Sequence, residues 1–548
     1  MYAGWNVIFT LVIFLLCHQC AGFWPFSSVV FAKTDSADTL YADPTAKRIA
    51  IIGAGAAGSS TAYYVQQYAN QSGIPINITV FERNSYVGGR STTVNAYDNP
   101  LEPVELGASI FVDVNTILKN SSKAFGLRPR EQTEGDDKEL LGIWNGKQFV
   151  FQQQDSGWYY WDLTKLLWKY GLAPIRTQRL MQSTVGKFRK LYESPFFPFR
   201  SLSDRVFDLG LTEVTALTGE QLLKENNIGA PFTTEIIQAS TRVNYGQNLN
   251  VIHGLETMVC MAIDGAMQIE GGNWQIFAGM LNSSQALTLL KTTVTSITKS
   301  SGKYNIKTTT PSLTSSDTLF NTEPFDTVVL AGPLQYSNIS IEKGLLKRIP
   351  DSIPYVTLHV TLLTSPRSIS GSFFNLTPGT PVPSTILTTL PADEVSPNAS
   401  HAVGAAGFWS ISTLRQVINP NTLEKENLFK IFSPSPIKPS FISSLLNITV
   451  DEDFSLSKDF TWYHPHVWQS YPYEYPRVSF EDPELARGFY YTSGMESFIS
   501  TMETNALMGM NVARLVMDDY LQLEEEKGSV AEEKQKTVAE GKGHLEEL

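Results

Sequence analysis

The sequence predicts an α/β protein in which a Rossmann-type βαβ unit is interleaved with a mixed α+β domain. A short apolar strand, Arg48 to Ile52, runs directly into a glycine-rich turn and a helix-forming segment. A second apolar strand, Asn77 to Phe81, follows after one helix length, as expected of a parallel βαβ unit. Further strand patterns appear only at 290–330 and 355–470. The sheets must therefore be completed by segments far along the chain.

Length and charge narrow the class of protein. A chain of 548 residues is too long for one compact core and indicates two or three domains. Its net charge of −12 argues against a nucleic-acid partner, because neutralising phosphates requires basic surfaces. About a third of this excess lies in the acidic segment at 522–548, which we predict to be a disordered tail.

The N-terminal segment resembles a secretory signal peptide at 1–22. An apolar run from Val7 to Leu16 is followed by small residues at Ala21 and Gly22. The alternative is a membrane anchor, but a span requires about 20 apolar residues. We therefore expect a secreted chain without a stable membrane span, and a polar connector at 23–46.

Cysteine usage agrees with this expectation. Removal of the signal peptide would take Cys17 and Cys20 with it and leave Cys260, which lies in an apolar stretch and is expected to be buried and structural. Glycosylation sequons, which support secretion jointly with the signal peptide, begin at Asn70, Asn77, Asn120, Asn282, Asn338, Asn375, Asn398 and Asn447.

The strongest local motif is the glycine turn G-x-G-x-x-G after the first strand. Gly53 would form the tight turn, Gly55 would allow the backbone to approach a pyrophosphate, and Gly58 would allow helix and strand to pack closely. The following helix would direct free N–H groups at the phosphates. Glu82, at the end of the second strand, is placed to accept hydrogen bonds from ribose hydroxyls. Together these features predict a dinucleotide site.

The segment after Glu82 distinguishes FAD from NAD. It contains Arg83, Gly88, Gly89 and Arg90 and resembles the E-R-x-x-x-x-G-G-R signature of FAD-dependent oxidases of the amine-oxidase type. The segments 105–109, 325–333 and 491–496 are similar to other parts of that fold. The cofactor-binding residues implied by this resemblance are Gly53, Gly55, Ala56, Ala57, Gly58, Glu82, Arg83, Gly88, Gly89, Arg90, Gly107, Ala108, Gly494, Glu496 and Met502.

Two central and two C-terminal segments resemble prenylcysteine oxidases more specifically. They are 242–247, 270–274, 468–476 and 488–503. The resemblance covers roughly Lys47 to Leu521. It implies that the chain oxidatively cleaves the thioether of S-prenyl-L-cysteine, with a farnesyl or geranylgeranyl chain, using O2 and water and giving cysteine, a prenyl aldehyde and H2O2. Animal relatives are lysosomal, so we expect a lysosome or vacuole, or secretion from the cell.

The resemblance also divides the chain into domains. We expect a Rossmann-type FAD-binding domain that begins at 47–115 and is completed by about 270–335 and 486–521. Residues 116–269 and 336–485 would form the substrate domain. Most of 116–265 is expected to be helical, and a last helix is expected from about Ser497 to Leu521.

No catalytic side chain is required by this chemistry, because the oxidised carbon needs no prior deprotonation. Tyr245 and Gln247 are candidates for positioning the amino-acid end of the substrate, and His253 for the water step or, alternatively, for a core position. The prenyl chain needs an apolar slot. Its walls could come from Trp158 to Trp161 with Leu163, Leu167 and Trp168, or from the aromatic run at 462–475. The first of these groups could instead contact a membrane peripherally or pack in the core.

Two other functions remain open from the sequence. One is an amine or polyamine oxidase on the same fold. Some of these attach FAD through a C-terminal cysteine, and Thr492 to Asn511 contains none, so non-covalent FAD is expected. The other is a non-catalytic FAD-containing protein that binds lipid. We expect no metal site, because His464 and His466 form an isolated pair.

Overall fold

The computed structural model describes residues 45–131, 140–153, 168–312, 318–391 and 403–546, with side chains described up to residue 525. The predicted signal peptide and most of the connector lie outside these residues, as do Trp158 to Trp161, Leu163 and Leu167. Trp168 is 89% exposed. Tyr170 is buried and donates a hydrogen bond to Glu235.

Twenty-one strands are described. In chain order they are β1 (Lys47–Ile52), β2 (Ile76–Phe81), β3 (Thr93–Asn95), β4 (Pro103–Glu105), β5 (Pro129–Glu131), β6 (Leu141–Trp144), β7 (Phe149–Gln152), β8 (Met267–Ile269), β9 (Leu287–Leu289), β10 (Thr293–Ser300), β11 (Lys303–Pro311), β12 (Thr318–Phe325), β13 (Thr327–Leu330), β14 (Ser340–Ile341), β15 (Tyr355–Ser365), β16 (Thr385–Thr388), β17 (Ser410–Ile418), β18 (Lys425–Ser433), β19 (Trp462–Pro472), β20 (Glu484–Ala486) and β21 (Phe489–Tyr491).

The α-helices whose bounds are described are α1 (Ala56–Ser72), α2 (Thr116–Ala124), α3 (Ala173–Phe188), α4 (Leu202–Asp208), α5 (Thr212–Ala216), α6 (Gly219–Glu225), α7 (Gln238–Tyr245), α8 (Gly254–Val259), α9 (Trp274–Ser284), α10 (Pro439–Leu446) and α11 (Met502–Glu546). A π-helical turn at Thr233–Ile237 precedes α7, and a 3₁₀ turn at Ser493–Ser497 precedes α11.

The first large sheet has six strands in the order β20-β21-β13-β1-β2-β9. All neighbours pair in parallel except β20 and β21. Ile49 and Ile51 face a helical layer that contains α1, α9 and α11, whereas Ala50 faces the small sheet β12-β11-β10-β14. Successive side chains of a strand point to opposite faces, so β1 is buried on both sides, as is typical of a parallel sheet.

The second large sheet has seven strands in the order β19-β15-β18-β17-β16-β6-β7. One face packs on α10 through Ile411, Phe429 and Ile431. The other face is covered in two halves. The hairpin β3–β4 packs on β15, and helices α3, α6, α7 and α8 pack on β6 and β16. This divided face lies on the side of the nucleotide motifs.

The expectation of a mainly helical segment at 116–265 is wrong for 141–152. These residues form the β6–β7 hairpin, with Asn145 and Gly146 at its turn and Gly146 at φ +89°. Asn-Gly is a strong hairpin signal, but the strands are too short to be recognised from an alternation of apolar and polar residues. They are fixed by parallel pairing of β6 with β16, more than 200 residues away.

The C-terminal helix is longer than expected. Helix α11 begins at Met502 and continues as helical backbone to Glu546, so it extends past the predicted end at Leu521 and through 522–546 of the predicted tail. The segment is rich in Glu and Lys, which have high helix propensity. Of the helices within the described ranges, none is long and apolar enough to cross a bilayer.

Candidate active site

The glycine turn lies where β1 ends and α1 begins. Gly53 has φ +109°, and a Cβ at this position would lie 2.8 Å from the carbonyl oxygen of Ala331. A Cβ on Gly58 would lie 1.9 Å from the carbonyl oxygen of Gly53. The helix can therefore pack on the turn only without side chains at these positions. Gly55 provides the N-cap of α1 without a side-chain cap, so the first N–H groups of this 17-residue helix point towards the turn.

The second glycine pair packs against the first turn. Gly88 has φ +114°, its N–H donates to the Ala54 carbonyl at 2.9 Å, and it forms a β-bridge with Gly55. Gly89 also has a positive φ, of +59°. A Cβ on Gly55 would meet only Gly88 and Gly89 backbone atoms, at 3.9 Å. The two motifs therefore form one cradle of bare backbone, which suits close contact with phosphate groups.

Glu82 lies at the end of β2, as predicted, and is 5% exposed. Its carboxylate accepts hydrogen bonds from the N–H groups of Ala54 at 2.9 Å and Asn84 at 2.8 Å. A carboxylate has further lone pairs with which to accept ribose hydroxyls. Arg83 is directed elsewhere, since its guanidinium donates to the Tyr336 carbonyl at 3.2 Å.

Arg90 connects the cradle to the C-terminal segment. Its guanidinium forms an ion pair with Glu496, with 2.8 Å between Nη2 and Oε2, and donates to the Ser470 carbonyl. The Tyr355 hydroxyl donates to the same Glu496 oxygen at 3.2 Å. The sequence suggested that Arg90 and Glu496 bind cofactor. In the structure they also bind each other, across 406 residues.

The C-terminal segment enters the same edge of the six-stranded sheet. Thr492 follows β21 and donates through its N–H to Leu330, at the end of β13. A Cβ on Gly494 would lie 2.8 Å from the Glu481 carbonyl oxygen. Met502 begins α11. The carboxyl ends of β1, β2, β13 and β21 therefore meet at one edge, which is where ligands bind in open parallel sheets.

Residues 105–109 lie between the cradle and the seven-stranded sheet. A Cβ on Gly107 would lie 2.0 Å from the Arg90 carbonyl oxygen, and the Ala108 N–H donates to that oxygen at 3.2 Å. Lys430 of β18 donates to the Glu105 carbonyl at 2.7 Å and to Ser109 Oγ at 3.1 Å. Burial raises the pKa of Glu105 to about 8. Sequence reasoning missed Lys430, because a lysine in an alternating strand gives no motif signal.

Tyr245 and Gln247 lie behind this segment and are buried. The Tyr245 hydroxyl donates to the Ser500 carbonyl at 3.2 Å, just before α11, and its ring contacts that of Tyr471 edge-on at 5.0 Å. The Gln247 amide donates to Pro472 at 3.1 Å and accepts from the Glu474 N–H at 2.9 Å. Gln247 therefore holds the chain that follows β19.

His253 belongs to a buried cluster with Glu256 and Glu474. His253 Nδ1 accepts the Glu256 N–H at 3.1 Å and so caps α8, while Nε2 lies 3.6 Å from Glu474 Oε2. Burial lowers the pKa of His253 to about 3 and raises the pKa of Glu256 to about 8. Burial and the nearby Glu256 carboxyl raise the pKa of Glu474 well above its usual value. Burial therefore favours the uncharged forms of all three side chains, and His253 is a poor base.

Several buried polar atoms at the site lack hydrogen-bond partners and so could bind a polar ligand such as a dinucleotide. Buried atoms without a hydrogen-bond partner among the described residues include Ser91 Oγ, Thr492 Oγ1 and Trp468 Nε1. Ser91 follows the diglycine, Thr492 precedes the C-terminal turn, and Trp468 lies beside Gly107. All three border the cradle, so the residues present fit a polar ligand. No group of three or more His, Cys, Asp or Glu in the described ranges could hold a metal ion.

The fold and this edge define a protein of the dinucleotide-binding class. Residues 51–122 match the model of the NAD(P)-binding Rossmann-like domain. Cyclohexylamine oxidase from Brevibacterium oxydans has a similar fold, with a TM-score of 0.51 and 15% identity, over 87% of this chain and 99% of the other.

Residues 153–528 match the model of the prenylcysteine lyase family, and the chain belongs to that family. It is 29% identical to farnesylcysteine lyase from Arabidopsis thaliana, over 87% of this chain and 90% of the relative. It is 28% identical to prenylcysteine oxidase 1 from Rattus norvegicus, over 86% and 90% of the two chains. The family resemblance of the sequence is thereby confirmed, and so is its class as an oxidoreductase.

Proposed function

We propose that this chain binds FAD non-covalently and oxidises S-prenyl-L-cysteine at the carbon between sulfur and the allylic double bond. Water and O2 would be consumed, and cysteine, a prenyl aldehyde and H2O2 would be formed. The observation that carries the proposal is the single edge at which both glycine motifs, Arg90 and the C-terminal turn meet in a chain of the prenylcysteine lyase family.

The chain's own residues would hold the cofactor through backbone and a few polar groups. The N–H groups of the glycine turn and of α1 would bind the pyrophosphate, and Glu82 would accept the ribose hydroxyls. Gly107, Ala108 and Gly494 would border the flavin end. FAD, when bound, accepts two electrons from the substrate carbon and passes them to O2.

The substrate side would contribute orientation and exclusion of water. Tyr245 and Tyr471 form a buried aromatic corner beside Ser500. Loss of hydride from the carbon that is oxidised would leave a positive charge shared by sulfur and the allylic double bond, so no strong base is needed. This agrees with the lowered pKa of His253 and the raised pKa values of Glu256 and Glu474 behind Tyr245. Water then adds to the oxidised carbon, and the resulting hemithioacetal separates into thiol and aldehyde.

The test is to mix the purified holoprotein anaerobically with S-farnesyl-L-cysteine and to follow the absorbance of the oxidised flavin at about 450 nm. Bleaching is expected, and on admission of air the band should recover with release of H2O2 and farnesal. S-dodecyl-L-cysteine is the matched control, because its saturated chain lacks the allylic double bond and should leave the band unchanged.

Other results would contradict the proposal. Bleaching by putrescine or cyclohexylamine but not by prenylcysteines would identify an amine oxidase. No bleaching by either class would identify a flavin-containing binding protein. Acid precipitation tests the attachment of the cofactor, and yellow colour retained in the protein pellet would exclude non-covalent binding.

A further inference from the structure

An aromatic row runs along β19, the edge strand of the seven-stranded sheet. Trp462, His464, His466 and Trp468 alternate along the strand and so lie on one face. Their rings follow one another at centroid distances of 6.0, 6.4 and 4.2 Å, and the first two pairs are nearly parallel. All four side chains are half-buried. We call these four residues the β19 row.

The near end of the β19 row reaches the candidate active site. Trp468 Nε1 lies 3.8 Å from the position of a Cβ on Gly107. Two residues further along the strand, the Ser470 carbonyl accepts a hydrogen bond from Arg90. The row is therefore continuous with the proposed flavin end of the site.

The hairpin β3–β4 lies alongside the row. Its base precedes Gly107, and Tyr97, in the loop beyond β3, packs on Trp462 with 6.2 Å between the ring centroids. The Tyr97 hydroxyl donates to Glu426 at 2.7 Å and also contacts Thr461. The far end of the row is thus closed by a polar network.

The row is uncharged as well as aromatic. Burial lowers the pKa of both His464 and His466, so both imidazoles are neutral at pH 7. On the neighbouring strand, Leu358, Val360 and Leu362 pair with Trp468, His466 and His464 and are buried. Flat, neutral rings beside aliphatic side chains suit a chain of isolated double bonds better than a polar or charged ligand.

We propose that the β19 row receives the isoprenoid chain of the substrate, with the first unit at Trp468 and the last at Trp462. This inference rests on the proposed function and assigns the subsite that reads chain length. Six residues of strand span roughly 20 Å at about 3.3 Å each. Four carbon–carbon bonds of about 1.5 Å give roughly 5 Å per isoprene unit. A farnesyl chain therefore ends near His464, and only a geranylgeranyl chain reaches Trp462.

The test compares kcat/KM for S-dimethylallyl-, S-geranyl-, S-farnesyl- and S-geranylgeranyl-cysteine. Trp462→Ala is expected to lower the value for the geranylgeranyl substrate about tenfold and to leave the three shorter substrates unchanged, because one apolar contact is lost. Trp468→Ala is expected to lower the value for all four. Val467→Ala is the matched control, since this side chain lies on the other face and is 51% exposed.

Trp462→Phe separates recognition from folding, because it keeps an aromatic ring and should retain most of the geranylgeranyl activity. An equal loss for every chain length in Trp462→Ala, or no loss for any, would overturn the assignment while leaving the proposed function intact. Failure of the wild-type protein to oxidise any of the four substrates would instead overturn the proposed function, and this assignment with it.

Discussion

The two large sheets would recognise their proposed ligands in different ways. At the edge of the six-stranded sheet, the cradle is made of backbone, and a single added Cβ on Gly58 would meet a carbonyl oxygen at 1.9 Å. On the divided face of the seven-stranded sheet, the proposed recognition would depend on side chains such as Lys430, Tyr471 and the β19 row.

This difference predicts that the two sites tolerate substitution differently. Phosphates and ribose are common to all dinucleotides, and backbone N–H groups and one carboxylate suffice to bind them. A lipid chain is distinguished by its length and shape, which require large apolar side chains in defined positions. We therefore expect the cradle to fail abruptly on substitution and the β19 row to change specificity gradually.

The largest effect is expected from Gly58→Ala. The new methyl group would overlap the Gly53 carbonyl and displace α1 from the turn. Overpacking of this kind lowers the free energy of unfolding by about 3 kcal/mol. The affinity for FAD should fall at least about 100-fold, as measured by titration of the apoprotein. Gly186→Ala is the control, because no atom lies within 4 Å of its Cβ position. Normal FAD content in Gly58→Ala would contradict the structural account of the cradle.

The second prediction concerns the buried carboxyl groups behind Tyr245. The folded-state pKa of Glu256 is raised to about 8. Its stabilising contribution to the free energy of unfolding is therefore complete below the unfolded-state pKa of about 4.5 and is lost as pH rises towards 8. His253 acts oppositely, since its pKa is lowered to about 3, and it destabilises the fold only below about pH 6.5. Between pH 6.5 and 8 the carboxyl contribution therefore dominates.

The free energy of unfolding of the wild-type protein should fall as pH rises over this interval. In Glu256→Gln the fall should be smaller, by a difference on the order of 1 kcal/mol per pH unit. Chemical denaturation of the holoprotein at pH 6.5, 7.2 and 8, roughly the interval set by these pKa values, measures the change. Glu213→Gln, at an exposed position, serves as the control. An unchanged pH profile in Glu256→Gln would show that this carboxyl group titrates normally.

An effect of similar size is expected from the ion pair that joins the two regions. Glu496 is 2% exposed and Arg90 is 34% exposed, so Glu496→Gln removes one partner of a partly buried pair. We expect a loss of about 2 kcal/mol in the free energy of unfolding, below the range for fully buried pairs because water reaches the guanidinium. A double-mutant cycle with Arg90→Met measures the coupling, and additive losses would show that the pair does not connect the regions.

The smallest effect is expected from Cys260→Ala. Cys260 is buried, as predicted, and burial raises the pKa of its thiol, so it is unreactive. The substitution should cost about 1 kcal/mol or less and leave prenylcysteine oxidation unchanged. A large loss of turnover with unchanged stability would give this thiol a role in the chemistry.

The sequence determined the parts of this protein that depend on neighbouring residues. The strand before Gly53, the two glycine motifs and Glu82 lie within about 45 residues, and each is required by local backbone geometry. The structure has all of them where the patterns placed them. The polar composition after Leu521 predicts a disordered tail, but the helix propensity of its Glu and Lys residues also favours the helix that the structure shows.

Only the tertiary structure decided which distant residues meet. Arg90 pairs with Glu496 across 406 residues, and Lys430 reaches Glu105 across 325. Residues 141–144 form strand β6 because they pair with β16. The β19 row lies at the site because its edge strand passes Gly107. No local pattern encodes such contacts, since they depend on the order of strands in a sheet. The physical reason is that burial and pairing partners are properties of the whole fold, whereas backbone turns are properties of a few consecutive residues.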